Sequence, residues 1–153
     1  MLTVKRTEIH EADTLRIIQN EAFQEDLAKF QDFETNPACE SLERMQYKIL
    51  NSEYYTISFD STIIGGAAVR KRANYEYRIS PVFLLPRYQD KGFGKQIINY
   101  LISSYPDAQL WSLDTPKQNA RNSYFYEKLG FIPVGESYIN ERLSLTQYQR
   151  VMK

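Results

Sequence analysis

The hydrophobic pattern of this chain predicts an α/β fold on one mixed sheet, with elements in the order β-α-α-β-β-β-α-β-α-β-β. Three observations carry that prediction. Short alternating or β-branched runs are separated by longer stretches of helical period. An Asp60-Ser61-Thr62 turn joins two of those runs as a hairpin. The stretch Val82-Phe83-Leu84-Leu85-Pro86-Arg87-Tyr88-Gln89-Asp90-Lys91-Gly92-Phe93-Gly94-Lys95 reads as a buried strand that stops at a proline, a glycine-containing loop, and the start of a helix. At 153 residues the chain suits a single domain, 1–153, able to bury a real core. No repeat, low-complexity segment or linker divides it.

Leu2-Thr3-Val4-Lys5-Arg6 alternates as a short first strand. Residues 11–30 place Leu15, Ile18, Ala22, Leu27 and Phe30 at helical spacing, and after the break at Asn36-Pro37 a second helix is marked by Leu42, Met45, Ile49 and Leu50. Tyr54 to Phe59 and Ile63 to Arg70 form the hairpin strands, and a further strand begins near Tyr75. Beyond Gly94, Ile97, Ile98, Leu101 and Ile102 share one helix face. Leu110-Trp111-Ser112-Leu113 is a short buried strand, and Thr115-Pro116-Lys117-Gln118 reads as a capping box with proline at the first helical position. Gly130 closes that helix. Phe131 to Val134 begin another strand, and Ser137 to Leu145 pairs back as the last. Both central crossovers are strand–helix–strand, which predicts adjacent parallel pairing and a ligand beyond the carboxyl ends of the strands, where Leu85 to Gly94 lies.

A loop of free N–H groups opening a helix favours an anion through its orphan amides and the helix dipole, and Lys91 and Lys95 add positive charge there. A phosphate-bearing cofactor is one reading; a tight turn with two glycines and no ligand is the other. Two better-known phosphate loops are excluded. The dinucleotide fingerprint requires a third glycine where Ile97 stands, and the P-loop requires Ser or Thr where Gln96 follows Gly94-Lys95.

Gln89-Asp90-Lys91-Gly92-Phe93-Gly94 resembles the Gln/Arg-x-x-Gly-x-Gly/Ala signature of the GCN5-related N-acetyltransferases, the GNAT superfamily. Asn119-Ala120-Arg121-Asn122-Ser123-Tyr124-Phe125-Tyr126-Glu127-Lys128-Leu129-Gly130-Phe131 resembles the second signature of that family, with Asn122 where a small Ala is usual. The two occur in the family's order and separation over residues 82–131. The resemblance implies a GNAT-like acyl-CoA N-acyltransferase fold and acetyl-CoA as co-substrate, with no metal. It implies that the loop Gln89, Asp90, Lys91, Gly92, Phe93, Gly94 and Lys95 holds the diphosphate. It further implies that main-chain groups of Phe83, Leu84 and Leu85 line the pantetheine at a splay from the next strand, and that Asn119 hydrogen-bonds that arm. Tyr126 would give a proton to the departing thiolate. Asn119 and Tyr126, seven residues apart on a helix, fall on one face about 10.5 Å apart along the axis. On the helix alone Tyr126 reads first as packing against the sheet, and the upstream motif reverses that reading. Arg121 and Lys128 are candidates for outer phosphates, or simply a solvated helix face.

Transfer to an amine needs the amine neutral, and an alkylammonium has a pKa of about 10.4, so a base or a water relay must take its proton. Glu76, on the strand leading into the loop, is the first candidate, Glu136 the second, and Asp114 a third that also reads as a helix cap. The sole histidine, His10, reads as surface, and Cys39 has no base near it in sequence. No Gly-x-Ser-x-Gly and no clustered His/Cys set supports a serine hydrolase or a metal site.

The 19 basic and 19 acidic residues balance, so no field favours nucleic acid or an anionic membrane, and Arg70-Lys71-Arg72 reads as a solvated strand end. One cysteine excludes an internal disulfide, and no apolar N-terminal stretch resembles a leader or a span, so a cytoplasmic protein is the default expectation. The expected function is acetyl-CoA-dependent transfer to a primary amine by direct attack in a ternary complex, with Tyr126 as acid and Glu76 as base. A non-catalytic acyl-CoA-binding or sensor domain of the same fold is the alternative, and Tyr126 favours the enzyme. The acceptor, a small molecule or a peptide amine, is left open, and so is a homodimer. Glu34, Glu40 and Glu43 could favour a cationic amine or form a solvated face.

Overall fold

The computed structural model describes residues 1–153. The elements are β1 (Leu2–Arg6), α1 (Ala12–Phe30), α2 (Leu42–Asn51), β2 (Glu53–Phe59), β3 (Thr62–Ala73), β4 (Glu76–Leu84), α3 (Phe93–Ser103), β5 (Leu110–Pro116), α4 (Ala120–Lys128), β6 (Ile132–Asn140) and β7 (Leu143–Val151). Their order is the one the sequence predicts. The seven strands form one sheet in the order β1-β2-β3-β4-β5-β7-β6. Leu15, Ile18, Met45 and Ile49 of α1 and α2 pack with Tyr54, Ala68, Phe83 and Leu85 on one face. Ile97, Ile98 and Leu101 of α3 and Tyr126 of α4 pack with Val69, Ile79, Trp111 and Leu113 on the other. No helix is long and apolar enough to cross a membrane.

Local chemistry explains the main joints. Asp60 (φ 48°) and Ser61 (φ 69°) both take positive φ, the type I′ geometry that matches the twist of a two-residue hairpin. Ser41 accepts a hydrogen bond from Arg44 N (3.1 Å) and so caps α2. Between α1 and α2, the buried Gln19 donates to Pro37 O (2.8 Å) and to Glu40 Oε1 (3.1 Å) while accepting from the Tyr54 hydroxyl (3.3 Å).

Several expectations are corrected. Leu50 is 71 % exposed and lies outside the core face of α2. The strand at Leu110 runs through Pro116, because all seven of its residues pair with β7, from Leu110↔Val151 to Pro116↔Leu145. Thr115 is therefore buried in the sheet, and α4 is capped by Asn119, whose Oδ1 accepts from Asn122 N at 3.0 Å. The second crossover does not give adjacent strands, since β7 inserts antiparallel between β5 and β6. The end of the chain is one long β6–β7 hairpin, so Ser137 to Leu145 spans its turn and the last strand continues to Val151.

Candidate active site

β4 and β5 pair in parallel over only three positions, Glu76↔Leu110, Tyr77↔Trp111 and Arg78↔Ser112. Beyond Arg78 they diverge, β4 running on to Leu84 and β5 to Pro116. The divergence has a visible cause on the β3 side. Ala67 faces Val82 and Val69 faces Ile79, three steps of β4 against two of β3, so β4 carries a bulge at Ser80–Pro81 that bends it away. The result is a V-shaped opening in the middle of the sheet.

On the far side of that opening β4 alternates. Leu85 N donates to Ile64 O (2.8 Å) and Leu85 O accepts from Tyr88 N (2.9 Å). By antiparallel alternation Phe83 also directs its main chain to β3. Two members of the expected trio are thus engaged elsewhere. Leu84 alone, with Val82 two residues before it, lies on the open edge, and Leu84 O accepts from Gln89 Nε2 at 3.0 Å. Sequence reasoning missed Val82, and it missed Gly65–Gly66. A Cβ on Gly65 would lie 2.1 Å from Phe83 O, and one on Gly66 would lie 2.8 Å from the Phe83 ring. Paired glycines inside a strand signal such close backbone approach.

The chain leaves β4 through a 3-10 turn, Pro86–Tyr88, and enters the loop. Gln89 shapes it, its N–H donating to Pro86 O (3.1 Å) and its side chain reaching back to Leu84. Asp90 (φ 61°) and Gly92 (φ 81°) then turn the backbone left-handed, and α3 starts with no side-chain cap. The amides of Asp90, Lys91, Gly92, Phe93, Gly94 and Lys95 have no acceptor in the chain. Six successive unpaired donors at a helix N-terminus are the kind of group that can receive an anion. Lys91 and Lys95 are exposed beside it.

α4 forms the other wall. Arg121 Nη2 pairs with Asp90 Oδ1 (2.9 Å) across the mouth, and Asn122 Nδ2 donates to Thr115 Oγ1 (3.3 Å), fastening α4 to β5. The Asn that departs from the small residue usual in the resembling signature thus has a structural task. Phe125 covers Gly94, and Lys128 lies 5.3 Å over the Tyr124 ring on the outer face of the helix. The Tyr126 ring is buried among Phe125, Phe131 and Tyr148. Its hydroxyl makes no hydrogen bond in the chain, yet is not sealed; the one sealed, unpaired side-chain polar atom is Trp111 Nε1. Burial pushes the Tyr126 phenol up to about 12, so it stays protonated at neutral pH.

The expected bases are placed unequally. Glu76 is the first residue of β4, paired to Ala73 and Leu110 in the closed part of the sheet, at the opposite end of the strand from the loop. Its side chain shares a strand face with Arg78, two residues on. Glu136 pairs with Lys117 (2.9 Å) on the exposed hairpin. Asp114 lies just past the last paired rung and accepts from Arg78 Nη2 at 2.9 Å, at the vertex of the V. Glu40 is paired with Lys48 (2.5 Å). His10 is exposed beside Glu8, and Cys39 is exposed in a 3-10 turn.

The bulged sheet, parted between β4 and β5, and the uncapped start of α3 at its wide end define the architecture of the site. Solved structures of proteins named acetyltransferases share the fold. The ribosomal-protein-S18-alanine N-acetyltransferase of Escherichia coli superposes with a TM-score of 0.80 at 16% identity, over 99% of this chain and 94% of that one. The PaiA N-acetyltransferase of Thermoplasma acidophilum, in complex with coenzyme A, gives 0.79 at 18% over 99% of both. The Salmonella typhimurium protein yncA, with its cofactor acetyl-CoA, gives 0.76 at 18% over 99% and 94%. At such identities the likeness is one of fold. No curated protein matches the chain in sequence. The model of the acetyltransferase (GNAT) family matches residues 15–131, and the chain belongs to that family.

Proposed function

We propose that this acetyltransferase moves an acetyl group from acetyl-CoA to an amine by direct attack, with both substrates held in the opening between β4 and β5. The observation that carries the reading is the run of six unpaired amides from Asp90 to Lys95, placed where β4 has already parted from β5. Those amides, with Lys91 and Lys95, would hold the diphosphate of acetyl-CoA. The open edge at Val82 and Leu84 would take the pantetheine amides as an added strand does. The Asn119 side-chain amide retains its N–H donors after capping α4 through Oδ1, and could donate to the same arm.

In the chemical step the amine nitrogen bonds to the thioester carbonyl carbon and the carbon–sulfur bond breaks. Tyr126 supplies the proton that the departing sulfur needs, since its buried phenol is still protonated and its hydroxyl has no competing partner. The amine loses its own proton on the other side, with Asp114 as the local acceptor and bulk water as the final one. Carboxylates in general hold a proton far less tightly than amines do. The rate should therefore climb with pH towards the pKa of the acceptor.

The test is acetyl-CoA binding by calorimetry together with thiol release in the presence of an amine panel, for wild type and Tyr126→Phe. Binding by both, with release slowed about a hundredfold or more in the variant, supports the reading. Equal release would remove Tyr126 from the chemistry, and binding without release on any amine would favour a non-catalytic acyl-CoA-binding domain.

A further inference from the structure

The vertex of the V opens, on the face that α1 and α2 share, into a groove of about 380 Å³ lined by Arg72, Arg78, Ser112, Asp114, Gln147 and Gln149. Its charge is unbalanced. Arg78 sits directly opposite Arg70 in the β3–β4 register, an arrangement of like charges that destabilises a sheet unless an anion offsets it. Asp114 is the single carboxylate present, and it engages Arg78 through Nη2 alone. Arg72 has no ion-pair partner, so with Arg78 it leaves the groove a surplus of positive charge over its one carboxylate. A second hollow, about 460 Å³ and lined in part by Glu53, Arg70, Lys71, Tyr77 and Tyr105, lies in the closed part of the sheet away from the loop.

A cationic groove is the wrong surface for a polyamine and the right one for an acceptor with a negative charge near its amine. Resting on the acetyl-transfer reading above, we infer that the acceptor is an α-amino acid or a molecule ending in that group. Its carboxylate lies on the guanidinium groups of Arg72 and Arg78, and its ammonium lies on Asp114. The zwitterion matches the Arg78–Asp114 pair end for end, each charge meeting its opposite. Planar guanidinium donors suit a carboxylate, and Arg78 keeps donors free for one. Docked so, the nitrogen is held at the vertex, on the line along which β4 leads from Leu84.

The experiment compares each amino acid with its own decarboxylated amine, and with spermidine, in the thiol-release assay, with acetyl-CoA binding measured separately. The expected result is release at least tenfold faster, in kcat/KM, with one or more amino acids than with their decarboxylated partners. Arg72→Gln, at an exposed position, should raise KM for the amino acid by about tenfold to a hundredfold and leave KM for the bare amine unchanged. Equal or faster release with decarboxylated amines or spermidine would overturn this inference while leaving acetyl transfer intact. An equal effect of Arg72→Gln on both members of a pair would also overturn it. Absence of acetyl-CoA binding, or binding without release on any acceptor, would remove the acetyl-transfer reading itself, and this one with it.

Discussion

Phe125 of α4 closes over Gly94 of α3: a Cβ on that glycine would lie 3.1 Å from the ring Cζ and 3.4 Å from Cε1. The two helices that flank the opening thus meet at a position with no room for a side chain. Gly94→Val should cost about 1–3 kcal/mol in urea unfolding, through overpacking. Gly94→Ala should cost less, and Phe125→Leu added to it should recover part of the loss. A double variant no better than Gly94→Ala would show that the ring is not the obstacle.

Gly92 works differently. Nothing lies within 4 Å of its Cβ position, but its φ is +81°. Gly92→Ala should therefore destabilise through backbone strain alone, by about 1–2 kcal/mol, and Gly92→Asn by less, because Asn tolerates the left-handed region. The check is a pair of unfolding curves. If alanine and asparagine behave alike, strain is not the cause.

Tyr126→Phe separates chemistry from packing. The hydroxyl makes no hydrogen bond in the chain, so the variant should unfold within about 0.5 kcal/mol of wild type and bind acetyl-CoA unchanged, while kcat falls. A large loss of stability would point to a structural role instead.

The same residue links stability to alkaline pH. Its folded pKa is raised to about 12 by burial, against about 10 in the unfolded chain. The unfolded state then binds fewer protons above pH 10, so the stabilising contribution is complete below that pH and is lost as pH rises towards 12. Tyr126→Phe should flatten the fall in unfolding free energy by up to about 1.4 kcal/mol per pH unit in this window. Tyr77 and Tyr148, also raised by burial, would account for slope that persists. An unchanged slope would mean that the phenol ionises freely in the folded protein.

Much of this architecture is legible in the residues because each signal is local. Pro86 ends β4, Asp60-Ser61 makes the hairpin, and Ile97, Ile98 and Leu101 mark the buried face of α3. The errors have one origin, pairing between segments far apart in the chain. Thr115-Pro116 has the chemistry of a helix start, but seven register pairs with β7 hold it as strand. The place of β7 between β5 and β6 is likewise invisible locally, and it undoes adjacency of the second crossover.

The site divides the same way. The anion loop could be read from Gly92, Gly94 and their flanking lysines. The parting of β4 from β5 could not, because it follows from a bulge opposite Ala67–Val69 that only the register reveals. Glu76 looked well placed because it shares a strand with the loop, but eight strand residues at about 3.3 Å each put it far from Leu84. Asp114 meets Arg78, a partner 36 residues distant, a contact that no local signal announces.

An amide-resolved NMR titration with coenzyme A tests the central claim most directly. The account predicts that the N–H signals of Asp90 to Lys95 move most, with Val82 and Leu84 next, and that 3′-phosphoadenosine 5′-diphosphate alone reproduces the loop shifts but not those of β4. Saturable shifts confined to other residues, with Asp90 to Lys95 unmoved, would contradict it.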